Sequence, residues 1–266
     1  MKITAIALNT FRETSRNRIF YVLIAFALVV ILTSRAVAWI SAGADLKVIM
    51  DMGLASITFF NVIMAIFLGT SIVINEMDRK TLYTILSKPM KRSEYILGKY
   101  CGLCLSIAIS ILMMSLFLVL YYKLMAWMLS SPGSSLGPII NACFFIFIEI
   151  SLLTGVAVLL SLLSSPILSA VFSFCMFILG HSTRGLVDLT EWIMKARDLS
   201  NKEVYNAFLK ILYYILPNLD NFDYKLHATH NVLPDWKTIL LSLAYGVVYT
   251  AALLMISIFI FNRKKL

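Results

Sequence analysis

Charge is scarce in this 266-residue chain: 14% of its side chains are Asp, Glu, Lys or Arg, against about 25% in soluble domains. With 60% of residues apolar, that scarcity excludes a water-soluble globule and a disordered or collagenous chain. Four cysteines, Cys101, Cys104, Cys143 and Cys175, all lie in apolar runs, which excludes a secreted disulfide framework. The three histidines, His181, His227 and His230, lie outside the longest apolar runs. No G-x-x-x-x-G-K-[ST] occurs, so the chain does not cradle a nucleotide through a P-loop, and H-E-x-x-H and G-x-S-x-G are also missing.

What the chain has in quantity is long apolar segments. A helix needs about 20 mostly apolar residues to cross roughly 30 Å of hydrocarbon. Six stretches approach or exceed that: 19–40, 54–75, 95–122, 138–163, 166–182 and 237–261. Several are rich in Val, Ile and Phe, but none shows the period-two alternation of a membrane barrel, and in lipid only helices and closed barrels satisfy the backbone. The fourth and fifth stretches are separated by Ser164 and Ser165, followed by Pro166. Proline fits the first turn of a helix and breaks its interior, so this is a tight hairpin. The reading is an all-α integral membrane protein of six transmembrane helices, forming a single domain over 1–266.

Basic residues orient the bundle. Lys2, Arg12, Arg16 and Arg18, then Arg79, Lys80, Lys88, Lys91, Arg92 and Lys99, then Arg263, Lys264 and Lys265 fall on one side of a six-span chain. Those thirteen residues against Glu13, Glu76, Asp78 and Glu94 carry the whole formal charge of +9. The other side carries ten basic and nine acidic residues, and Glu149 lies inside the fourth span. Both termini are expected in the cytoplasm, and the charge marks topology, with no nucleic-acid partner. Ala36-Val37-Ala38 fits a signal-peptidase pattern. However, the preceding charged segment is itself amphipathic, with Ile3, Ile6, Ala7, Thr10 and Phe11 at helical spacing. It reads as an N-terminal interfacial helix on the inner leaflet.

Two hydrophilic segments stand out. The cytoplasmic loop 76–98 reads as a short helix packing through Met77, Leu82, Ile85 and Leu86, stopped by Lys88-Pro89, before Ser93 caps the next span. It is either a positive-inside loop on lipid phosphates or a docking element for a cytoplasmic partner. The outer segment 183–236 contains Val204, Phe208, Ile211, Leu212, Ile215 and Leu216 on one helical face ended by Pro217. Leu186 to Ala196 forms a weaker second candidate. These outer amphipathic helices are either an extracytoplasmic cap or an interfacial pair.

Few residues suggest chemistry. His227-x-x-His230 below Asp220 and Asp223 lacks four-ligand spacing, and no metal site is assigned. Cys101-x-x-Cys104 sits within a span beside Gly98 and Gly102, a small-xxx-small pair suited to helix packing. The thirteen methionines are scattered as core filling. Glu149 stands apart. Eleven residues into its span, it lies about 16 Å from the outer edge, where an ionised acid is costly and faces a bundle interior or an aqueous path. No basic residue shares its depth in the sequence, which leaves structural hydrogen bonding, to Asn61 or a serine, or a place in a transport pathway.

The run GTSIVINEMDRKTLYTILSKPMKRSEYILGKYCG, Gly69 to Gly102, closely resembles the ABC-2 type transporter permeases. There an acidic residue ends span two, followed by a Thr-Leu-like stretch, Leu-Ser-Lys-Pro, Arg, and Gly-Lys opening span three. The matching residues are Glu76, Thr81, Leu82, Leu86, Ser87, Lys88, Pro89, Arg92, Gly98 and Lys99, with Asp78, Arg79 and Lys80 inside the same loop. Ile6 to Tyr21 and Ile215 to Asp223 also look like the branch associated with multicopper-enzyme maturation, which includes the permease of nitrous oxide reductase assembly.

The resemblance implies a non-enzymatic permease without its own cofactor, in a bacterial or archaeal cytoplasmic membrane. It would pair with a second permease copy or paralogue, contact membrane lipids, and be driven by separate nucleotide-binding ATPase subunits that carry ATP and Mg²⁺. The segment Glu76 to Arg92 would be the coupling element, and export the expected direction. The competing reading is a membrane scaffold whose loop docks a non-ATPase partner. An intramembrane enzyme lacks convergent acids or histidines at depth, and a passive channel lacks a filter or charged ring.

Overall fold

The computed structural model describes residues 2–40, 45–78, 92–129, 135–182 and 217–263, with backbone alone over 72–78. Among these residues every regular element is helical: α1 Lys2–Ser15, α2 Arg18–Ala38, α3 Asp45–Asp78, α4 Arg92–Met128, α5 Leu136–Leu163, α6 Pro166–His181, a 3₁₀ turn Leu219–Phe222, α7 Lys225–Thr229 and α8 Trp236–Arg263. The expected helices at Leu186 to Ala196 and Val204 to Leu216, and most of the cytoplasmic loop, lie outside the described residues.

Five helices, α2, α3, α4, α5 and α8, are long and apolar enough to cross a membrane. α6 is apolar but has sixteen residues, a length of about 24 Å. The difference from six equal spans therefore lies in α6. Ser165 and Pro166 start it immediately after α5, and it ends at His181 before reaching the length of its neighbours.

The helices are placed by which faces accept neighbours. In α2, Phe20, Ile24, Ala27, Ile31, Ser34 and Ala38 form a buried stripe at alternating steps of four and three, the seam of a left-handed crossing. That stripe packs on α3. Tyr21, Val22, Phe26, Val29 and Leu32 on the other face stay exposed. In lipid such a face carries no hydrophobic penalty, so van der Waals fit and small residues decide the packing. α4 shows the same logic, with Gly102, Ser106 and Ser110 four apart on its buried face.

α3 and α5 form the interior. Within the apolar window of α5, 72% of residues are buried, against 17% for α8. α5 is apolar on every side and buried continuously from Glu149 to Val158, as expected of a helix surrounded by protein. α8 is held mainly along one edge, by Ser242, Gly246, Leu253, Ser257 and Phe261.

Beside the start of α5, Asn231 has a positive φ of 56°, a conformation asparagine tolerates better than most residues. Its Oδ1 accepts from the Ser135 backbone N–H at 3.1 Å and from Ser135 Oγ at 2.7 Å. This satisfies a donor at the start of α5 that has no intrahelical acceptor. Asn231→Gly is expected to cost about 1 kcal/mol through the lost hydrogen bonds. Asn231→Val should cost about 1–2 kcal/mol more, because a β-branched residue is strained at positive φ. Equal thermal stability of the two variants would remove the backbone part of this account.

Candidate functional site

Two regions collect the residues singled out by sequence. The first is the N-terminal end of α4. Glu76 and Asp78 lie in the last turn of α3, where only the backbone is described. Arg79, Lys80, Thr81, Leu82, Leu86, Ser87, Lys88 and Pro89 lie outside the described residues. Arg92 is the first residue of α4.

Gly98 and Gly102 lie where α1 crosses α4. A Cβ at Gly98 would sit 2.7 Å from Ile6 Cβ, and one at Gly102 would sit 2.6 Å from both the Ala7 carbonyl oxygen and Thr10 Cβ. The apolar face of α1 thus meets α4 directly, and Thr10 and Thr14 are buried. Lys99, 2% exposed, reaches Glu13 at 3.5 Å, but Glu13 is 47% exposed. A half-solvated pair of that kind contributes little, so the glycine-floored packing dominates the attachment.

Arg92 is turned toward α8. Its Nη1 donates to the Phe261 carbonyl at 3.0 Å and to the Asn262 carbonyl at 3.2 Å. The guanidinium lies 5.9 Å from the centre of the Phe261 ring. Tyr95 stacks on the same Phe261 ring, 5.6 Å between centres with 18° between planes.

The second region lies at the depth of Glu149. α6 runs back along α5 from the hairpin, so distance along the two helices can be compared. Glu149 lies fourteen residues back from Leu163, and His181 lies fifteen on from Pro166. Both positions are therefore about 21–23 Å from the turn. His181 Nε2 is 3.5 Å from Glu149 Oε1. The carboxyl is fully buried, and neither of its oxygens has a hydrogen-bond partner among the described residues.

The absence of a basic residue at that depth, read from sequence, is corrected here. His181 looks peripheral when spans are assumed equal, and α6 is short enough to bring it inward. Counting forward from Pro166 is the signal that locates it.

The chain after residue 216 returns to the same level. Gly180 packs against the Pro217 carbonyl and Leu219, where a Cβ would be 2.7 Å and 2.8 Å away. Gly246, ten residues into α8, faces Ile148 and Phe222. Tyr245 Oη accepts from the Asn218 backbone N–H at 2.9 Å, Tyr224 Oη lies 3.0 Å from Ser242 Oγ, and Ser242 Oγ donates to the Asn221 carbonyl at 3.1 Å. These bonds satisfy irregular backbone set between helices, where unpaired groups are costly. They bring Asp220, Asp223 and Lys225 within electrostatic reach of the Glu149–His181 pair. None of these last three residues was marked for Glu149 by sequence.

Asn61 is not part of that cluster's hydrogen bonding. Its amide donates to the Ile57 carbonyl at 2.8 Å and to Met114 Sδ at 3.4 Å. The anticipated Asn61–Glu149 bond is thus replaced by bonds within α3 and to α4. Among the described residues no group of three His, Cys, Asp or Glu side chains is arranged to hold a metal ion. His227 packs its ring 5.4 Å from Tyr224. Cys101 and Cys104 are free thiols.

The arrangement is a helical bundle with a buried polar cluster at mid-depth. At one end of the bundle, α4 contacts both α1 and α8. Compared with models of protein families, the chain matches the one described as ABC-2 family transporter protein over residues 4–266. No curated protein matches it.

Proposed function

Because this chain belongs to the ABC-2 transporter family, whose membrane subunits are transport components and not themselves catalysts, we propose that it is the permease subunit of an ATP-binding cassette exporter. The observation that carries the reading is the family match over nearly the whole chain, supported by five helices able to cross a membrane. In this proposal α6 together with the residues after it completes a sixth crossing, and both termini are cytoplasmic in a bacterial or archaeal inner membrane.

Two copies, or this chain and a paralogue, line the pathway. Two separate ATPase subunits bind ATP and Mg²⁺ beneath them. The segment from Glu76 to Arg92 meets those subunits. Closure of the ATPases on ATP displaces the segment and shifts the permease between inward- and outward-facing states, which requires that the ATPase contacts differ between the two states. The runs Ile6 to Tyr21 and Ile215 to Asp223 favour the branch associated with multicopper-enzyme maturation, without naming a cargo.

A docking experiment separates this reading from a scaffold. The full chain in lipid nanodiscs is expected to capture a cognate Walker-motif ATPase subunit from its own source, and deletion of Thr81 to Pro89 should abolish capture. Capture that survives the deletion would overturn the docking assignment. If no such ATPase binds the intact chain, the scaffold reading replaces the permease one.

A further inference from the structure

Helix ends leave their last four carbonyls without intrahelical donors. Among the described residues α8 runs Trp236–Arg263, and the carbonyls of Phe261 and Asn262 lie in its last turn there. Arg92 donates to both. A cation at this terminus also meets the negative end of the helix dipole. The contact does not depend on Arg92 alone, because Tyr95, one turn along, stacks on Phe261, and Phe261 and Tyr95 are among the largest fully buried side chains.

α8, the least buried of the long helices, packs chiefly on α5, and Arg92 ties its last described turn to the start of α4. α4 opens with Arg92, so the residue that leaves the proposed coupling segment is also the one that grips α8. The guanidinium fork matters, since lysine is a point charge on a flexible stem and holds two acceptors less rigidly.

We infer that Arg92 is a positioning residue that transmits movement of the coupling segment to α8 by binding the carbonyls of Phe261 and Asn262. The inference rests on the permease reading above, and it assigns Arg92 a role facing its own fold. Pushing the start of α4 then moves the cytoplasmic end of α8 with it, while α1 follows through the Gly98–Gly102 crossing. α8 becomes a second moving element in the cycle, driven from outside its own sequence neighbourhood.

Hydrogen–deuterium exchange on the permease–ATPase complex in nanodiscs tests this, read as the difference with and without ATP. In the wild-type complex, ATP is expected to change exchange both in 79–91 and in 256–263. In Arg92→Ala the change in 79–91 should persist and that in 256–263 should fall to about a tenth or less, the scale of losing hydrogen bonds to a charged group. A generally loosened helix would raise exchange equally in both nucleotide states and leave the difference in place. Arg92→Lys, which keeps the charge, is expected to fold where alanine does not and to give an intermediate difference.

An undiminished ATP response at 256–263 in either folded variant overturns the inference. So does a wild-type complex in which 79–91 responds and 256–263 does not. Failure of the wild-type chain to bind the ATPase is a separate result, and it overturns the permease reading first.

Discussion

Gly102→Val is expected to dislodge α1 from the bundle. A Cβ at this position meets the Ala7 carbonyl oxygen and Thr10 Cβ at 2.6 Å, and backbone cannot swing aside as a side-chain tip can. Overpacking at such a contact costs about 1–3 kcal/mol. Replacing a helical glycine would otherwise gain up to about 1 kcal/mol in helix propensity, so the sign of the result reports which effect wins. Gly155→Ala is the matched control. It lies in the middle of α5, and its nearest neighbour would be Leu253 Cδ1 at 3.6 Å, an ordinary contact, so it should be neutral or slightly stabilising. The measurement is thermal unfolding of the nanodisc-embedded chain, together with tryptic cleavage at Arg12 and Arg16. Valine at 102 should lower the midpoint and speed cleavage within α1. Unchanged cleavage and stability would mean that α1 does not depend on the glycine floor of α4.

The second large effect is expected at the Glu149–His181 pair. Removing one partner of this buried polar contact costs about 1–3 kcal/mol, because the other polar group stays buried without compensation. His181→Leu leaves the Glu149 carboxyl, already without a hydrogen bond among the described residues, facing an added apolar surface. Glu149→Leu leaves the imidazole in the same position. The double replacement removes both polar groups and should recover part of the loss, giving a coupling energy of about 1–3 kcal/mol in a double-mutant cycle. Strict additivity would show that 3.5 Å of separation carries no energetic link.

Glu149→Gln addresses function separately, since it keeps the shape and hydrogen-bonding capacity. It is expected to assemble normally and to alter substrate-stimulated ATPase activity of the reconstituted complex. Normal assembly with unaltered stimulation would confine Glu149 to a structural role.

The two regions differ in how far sequence could reach them. The crossing at Gly98 and Gly102 was legible as a small-xxx-small pair, since close approach of backbones requires residues that small whatever the partner helix is. Which helix approaches was not legible: α1, amphipathic by its own spacing, uses its apolar face on α4 at those glycines. The buried stripe of α2 was likewise present as periodicity, but its partner α3 was not. Arg92 belonged to a basic run that reads as solvated or docked. Its two acceptors lie about 170 residues away in sequence, in the last described turn of another helix, and no local pattern encodes that.

Scarcity of charge determined a great deal by itself. A chain with 14% charged and 60% apolar residues must bury its backbone in helices within lipid, and the distribution of its basic residues gives the expected orientation of those helices. These follow from solvation, which acts on each segment separately and so is written along the chain. The tertiary structure alone decided what meets at depth. α6 ends early, so His181 comes level with Glu149, and the chain from Pro217 to Tyr224 packs beside them on Gly180 and Phe145. It also decided that α4 grips both α1 and α8. Contacts of this kind depend on the relative lengths and crossing points of helices, which are properties of several segments at once.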